Sequence, residues 1–147
     1  MKIINKKALF NFEITDRIEA GIVLTGGETK SVFGEHVKLE DSFVKIVGGE
    51  IYVLNMQIFP YQFATNVKAD QKRTRKLLVH KKQIISLKTK LQQSNLTLVP
   101  LSIYNKGKTI KLEIGLARGK KKWDKRETIK KRELQRKTQA MQKITKK

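Results

Sequence analysis

Apolar and polar residues alternate along much of the chain. Phe10, Phe12 and Ile14, then Ile18, Ala20, Ile22 and Leu24, are interleaved with Asn11, Glu13, Glu19 and Gly21. A period of two sends successive side chains to opposite faces, so both stretches predict half-buried strands. Thr25-Gly26-Gly27-Glu28 then has the spacing of a capping box, in which a hydroxyl and a carboxylate close the first turn of a helix; it predicts a short helix to about Gly34. Residues 43–47 and 51–56 flank Gly48-Gly49, a pair that accepts positive φ, and predict a tight hairpin. Residues 97–104 and 109–117 predict a second hairpin around Asn105-Lys106-Gly107-Lys108, with Ile110, Leu112, Ile114 and Leu116 on one face and Lys111 and Glu113 on the other. Pro100 has no amide hydrogen, which places its strand at an edge or a bulge. Between the hairpins, Ile84, Leu87 and Leu91 recur at helical spacing and predict an amphipathic helix over 80–92.

The fold class that follows is mainly β. Strands this short remove their open edges by closing on themselves, which favours a small antiparallel barrel of the oligonucleotide-binding type with two or three short helices. A two-layer sandwich satisfies the same pattern.

Composition narrows the function. The 147 residues suit one domain with a modest core, and the absence of cysteine excludes disulfides, thiolate nucleophiles and cysteine zinc sites. Two histidines leave little scope for catalysis, so no cofactor, metal or small-molecule substrate is expected. Net charge is +20, which attracts polyanions and makes nucleic acid the expected partner. No stretch approaches the roughly 18 apolar residues that span a bilayer. The first five residues offer only Ile3 and Ile4 as consecutive apolar positions, so a cytoplasmic protein is expected.

The charge is unevenly spread. Residues 118–147 hold 14 Lys or Arg against Asp124, Glu127 and Glu133, a net of +11, whereas the first 117 carry +9 (19 minus 10). This segment is rich in helix formers, yet Trp123, Ile129, Leu134, Met141 and Ile144 are too sparse for a continuous apolar stripe. The expected organisation is a barrel over 1–118 and a basic tail over 119–147, disordered when free and helical once phosphates neutralise it. A tail without a broad apolar face does not suit a membrane surface.

Three runs carry a resemblance to a known family: Glu19-Ala20-Gly21-Ile22-Val23-Leu24-Thr25-Gly26-Gly27-Glu28-Thr29-Lys30-Ser31, Arg73-Thr74-Arg75-Lys76-Leu77-Leu78-Val79-His80-Lys81-Lys82-Gln83-Ile84, and Gly115-Leu116-Ala117-Arg118-Gly119-Lys120-Lys121-Lys122-Trp123-Asp124-Lys125-Arg126. In this order and spacing they closely resemble small protein B, the tmRNA-binding family of bacterial trans-translation. The resemblance implies a barrel that grips the tRNA-like domain of tmRNA. It also implies a basic tail that enters the decoding centre and vacant mRNA path of a stalled ribosome. The family's RNA-contacting Asn, Glu and Leu fall on Asn5, Glu19 and Leu78, and the aromatic position of its tail falls on Trp123. This chain departs from the family at Leu9 and Phe10, where Arg and His are common, and at Phe33, where Arg is common.

The candidate RNA-binding set is therefore Asn5, Lys6, Lys7, Glu19, Lys30, Arg73, Arg75, Lys76 and Leu78. The candidate ribosome-binding set of the tail is Lys120, Lys121, Lys122, Trp123, Asp124, Lys125, Arg126, Lys130, Lys131 and Arg132. Arg73, Arg75 and Lys76 beside Leu77 and Leu78 put a basic edge against an apolar rim, as a loop with splayed bases requires. Trp123 among cations suits base stacking, worth about 1–3 kcal/mol. Glu19 projects outward in the period-two reading, where it accepts hydrogen bonds from a base or pairs with Arg17 or a lysine. Two other functions fit parts of the pattern: a ribosomal RNA-binding protein is also small, basic and tailed, and Asp16 with Glu28-Thr29-Lys30 has the look of a nuclease metal site, although helix capping is a sufficient explanation for Glu28.

Overall fold

The computed structural model describes residues 1–60, 70–93 and 95–119. The elements run β1 (Lys2–Ile4), α1 (Lys6–Asn11), β2 (Phe12–Ile22), α2 (Gly26–Phe33), β3 (Val37–Lys38), β4 (Phe43–Val47), β5 (Glu50–Leu54), β6 (Gln57–Ile58), β7 (Arg75–Leu78), α3 (Lys81–Gln93), β8 (Thr97–Lys106) and β9 (Thr109–Gly119). The strands β8, β4, β5, β7, β2 and β9 pair in that order, and β9 returns to β8 to close an antiparallel barrel. β1 continues along the edge of β8 that β4 leaves free, pairing at Ser102, Ile103 and Tyr104 while β4 meets β8 at Leu98. Closure gives every barrel strand two partners, which is the physical reason for the expected barrel of the oligonucleotide-binding type.

Both hairpins form. Gly48 and Gly49 adopt φ of 59° and 79°, which lets β4 turn into β5 with Val47 opposite Glu50. The second hairpin is tighter than its sequence suggests. Asn105 and Lys106 remain in the ladder opposite Ile110 and Thr109, and Gly107, at φ 60°, takes the turn. The capping box is present in full: Thr25 accepts from the Glu28 amide and Glu28 accepts from the Thr25 amide. α2 ends at Phe33, and α3 buries Ile84 and Leu87 against the barrel interior.

Two bulges decide which residues face inward. In β2 the register slips between Ile14 and Asp16, and in β8 it slips between Pro100 and Ser102. Each slip adds one residue and reverses the strand's parity. Ile18 and Ala20 thus point into the main core with Leu112 and Ile114, whereas Phe12 and Ile14 point out and pack with Ala8, Val99, Leu101 and Ala117 beneath α1. The bulge in β8 follows Pro100, where no amide hydrogen was available for the ladder.

The ends of the first alternating stretch lie elsewhere. Leu24 falls beyond β2, and Phe10 and Asn11 belong to α1, because Asn5 caps that helix by accepting from the Ala8 amide at 3.2 Å and so starts a turn that overrides the alternating pattern. The barrel's last strand reaches Gly119, one residue beyond the expected boundary, and the tail proposed from composition lies outside the described residues. Among the described residues no helix is long and apolar enough to cross a membrane.

Candidate nucleic-acid interface

β7 sorts the predicted basic edge by parity. Arg75 and Leu77 point inward, and Lys76 and Leu78 point outward. Leu78 is 56% exposed, an unusual state for a leucine on a barrel wall. It sits opposite Gly21 of β2, and a Cβ at Gly21 would stand 3.2 Å from the Leu78 Cβ, so the bare glycine is what lets Leu78 lie close across that strand.

Glu19, Lys76 and Leu78 line one cavity of about 620 Å³, with His80, Gln83 and Lys111 around them. The sequence reading missed His80, Gln83 and Lys111 as site residues. The signal for Lys111 was its outward place in the second hairpin, but only the pairing of Gly21 with Lys111 brings it beside Glu19. Lys76 also makes a 3.0 Å ion pair with Glu50, whose carboxyl is held below its ordinary value by the Tyr52 hydroxyl first and Lys76 second.

Glu19 is organised from β8, the strand beyond its partner β9. It accepts from the Tyr104 hydroxyl, and Lys106 donates to its Oε1 at 3.0 Å. Those bonds, in that order, hold the Glu19 carboxyl below its ordinary value, so it is an anion at neutral pH. Tyr104 moves the opposite way, pushed up to about 12 by burial and by the bond to Glu19, with the Lys2 ammonium 5.8 Å from its ring centre. Arg17, one of the partners that the sequence suggested for Glu19, pairs instead with Glu113 at 3.0 Å.

The other candidate residues lie apart from this cavity or point away from it. Arg75 is fully buried: it donates to Glu28 Oε2 at 2.6 Å and to the carbonyls of Met56, Arg73 and Gln71 at 2.6, 3.1 and 3.0 Å. The reason is that inward parity brings a long cation beneath α2, where the capping carboxylate neutralises it. Arg73 also joins Glu28, with its Nε 3.2 Å from both carboxylate oxygens. Glu28 thus serves as cap and counter-ion together, and Asp16, its supposed partner in a metal site, pairs with Lys90 at 3.2 Å.

Asn5 is 3% exposed. Its side-chain amide donates to the carbonyls of Leu39 and Pro100 at 3.3 and 2.9 Å while its oxygen caps α1, so it ties three segments together from inside. Lys6 and Lys7 are exposed on α1, with Lys7 2.6 Å from Asp41, and Lys30 is exposed on α2. The ten tail candidates from Lys120 to Arg132 lie outside the described residues.

A closed antiparallel barrel of the oligonucleotide-binding type, carrying a cation-rimmed cavity with an exposed apolar floor, defines the class of small basic barrel proteins built to hold a polyanion with bases. Comparison then gives the family. The chain belongs to the SmpB protein family, whose model matches residues 2–144. It is 52% identical over 134 residues to the SsrA-binding protein of Mycoplasma mycoides subsp. mycoides SC, covering 90% of each chain. It is 48% identical over 142 residues to the SsrA-binding protein of Chlorobaculum tepidum, covering 96% of this chain and 90% of the relative. A solved structure described as "tmRNA-SmpB: a journey to the center of the bacterial ribosome" is similar with a TM-score of 0.69 and 42% identity, over 82% of this chain and 85% of the matched one.

Proposed function

We propose that this chain binds the tRNA-like domain of tmRNA and delivers it to stalled ribosomes for trans-translation, acting in the cytoplasm as a binding protein that breaks no bond. The observation that carries this reading is the convergence of Glu19, Lys76 and Leu78 on one cavity, which offers a hydrogen-bond acceptor, a phosphate-neutralising cation and an apolar surface within reach of one nucleotide. The barrel selects the RNA. The segment from residue 120 onward, with Lys120, Lys121, Lys122, Trp123, Lys125 and Arg126 at its start, occupies the decoding centre and the vacant mRNA path, and becomes helical there as ribosomal phosphates neutralise it.

The test separates the two parts in the full-length protein. Leu78→Ala should weaken binding to the isolated tRNA-like domain by about 1.5–3 kcal/mol, the worth of burying one leucine side chain. Trp123→Ala should leave that binding unchanged and impair peptide tagging on ribosomes stalled on truncated messages, and Trp123→Tyr should be mild. Equal tagging by the wild type and Trp123→Ala, or unaltered binding by Leu78→Ala, refutes this division of labour.

A further inference from the structure

A second hollow, of about 260 Å³, shares no lining residue with the cavity beside Glu19. Part of its wall is apolar. Ala8 and Val99 are buried in the small outer core, Phe12 packs against that core, and Phe43 of β4 stands 44% exposed. At the rim Lys7 donates to Asp41 Oδ1 at 2.6 Å. A large aromatic side chain left half in water beside such a hollow still has apolar area to bury.

The register of β9 says which ring can reach it. β9 is antiparallel to β2, and its last residue, Gly119, pairs with Phe12, itself a wall of the hollow. A chain continuing past Gly119 therefore leaves toward the place where α1 joins β2. Trp123, the only tryptophan in the sequence, follows four residues later, and four residues span at most about 14 Å. An indole needs a large apolar contact for its ring and an acceptor for its N–H. The hollow supplies both. Phe12 and Phe43 give the contact, and a carboxylate, with about four lone-pair positions, can take a further donor beside Lys7. Because the hollow opens at the surface, Lys120, Lys121 and Lys122 can keep their ammonium groups in water while the ring is covered.

We propose that in the protein free of RNA the Trp123 indole docks in this hollow, its ring against Phe12 and Phe43 and its N–H donating to Asp41. The start of the cationic segment is thereby held on the barrel. On a ribosome the ring leaves the hollow for a base, so the contact is a latch that keeps the indole from stacking on other RNA. That exchange rests on the ribosome-binding reading above; the docking does not.

The experiment uses the full-length protein, stripped of nucleic acid at high salt, and reads its single tryptophan by fluorescence. Wild-type emission should lie to the blue of the urea-unfolded chain, and acrylamide should quench it several-fold less than it quenches the unfolded chain. Phe43→Ala, which removes an exposed wall, and Thr97→Gln, which fills the hollow from β8, should each shift emission to the red and restore quenching. Far-ultraviolet circular dichroism checks that both variants are folded, and since they alter different strands, either one decides if the other does not fold. A wild-type ring as open to acrylamide as in urea overturns the proposal. So does protection that survives in the folded variants, which would place the ring elsewhere, or protection that grows with protein concentration, which would place it in a second copy. No RNA is present, so none of these outcomes bears on the RNA-binding reading.

Discussion

The guanidinium of Arg75 lies wholly out of solvent and donates to Glu28 Oε2 at 2.6 Å, joining β7 to the capped end of α2 across the barrel wall. The pair links the element that presents Leu78 to the helix that follows β2. It turns what sequence reads as a run of surface cations into one internal cation with surface neighbours. Burial works against the charge on Glu28, but hydrogen bonds from Arg73, from the Thr25 amide and from Arg75 outweigh it and hold the carboxyl below its ordinary value.

Glu28→Gln is expected to cost about 3 kcal/mol, the lower end of the range for breaking a buried ion pair, because the carbonyls of Met56, Gln71 and Arg73 still accept from Arg75. The cost should depend on pH with a definite sign. A carboxyl whose folded value is depressed contributes stability that is present above its unfolded value, here 4.5, and lost as pH falls through the folded value. Urea unfolding should therefore show the wild type well above Glu28→Gln at neutral pH, with the two converging in acid. Parallel curves at all pH would show that the carboxylate's charge is not what stabilises this contact.

Asn5→Ala should lower stability by about 2–3 kcal/mol, combining a lost helix cap with the loss of buried bonds to the carbonyls of Pro100 and Leu39, of which Leu39 still accepts from Ser42. Its effect on RNA binding should be nil when measured at a temperature where the variant remains folded, since the side chain is enclosed. A loss of affinity in a fully folded Asn5→Ala protein would reinstate Asn5 as a contact residue.

Gly115→Ala should cost about 1–3 kcal/mol by overpacking, because the new Cβ would stand 2.8 Å from the Leu101 Cδ1 in the small outer core under α1. The two sites should couple: in a Leu101→Ala background the same substitution should cost little, since the clashing methyl groups are gone. Additive costs in the double-mutant cycle would place the strain elsewhere.

The hairpins, α2 and α3 were readable from the residues because local chemistry specified them, whereas β1, α1, β3, β6 and β7 were not foreseen. Thr25 and Glu28 close the start of α2, Gly48-Gly49 accepts positive φ, and Ile84 and Leu87 recur at helical spacing. The candidate site was readable only in part. Glu19 and Leu78, named by the resemblance, and Lys76, read from the basic run, line one cavity, but Arg75 turned inward, Arg73 bonded Glu28, and Asn5 became a buried clamp. A guanidinium reads the same in sequence whether it neutralises a phosphate or a helix cap. Which of the two it does depends on strand parity and on what lies across the wall.

By itself, then, the chain's order of residues determined α2, α3, the two hairpins, the capping box and the concentration of positive charge beyond residue 117, all of which arise from interactions within a few residues of one another. The tertiary structure alone decided barrel closure, which needs β4 to meet β8 and β2 to meet β9, the bulges that reverse which residues face inward, and the meeting of Glu19 with Tyr104, 85 positions away. Those outcomes rest on register between distant strands, where a slip of one residue exchanges the inner face for the outer, and no local pattern records that choice.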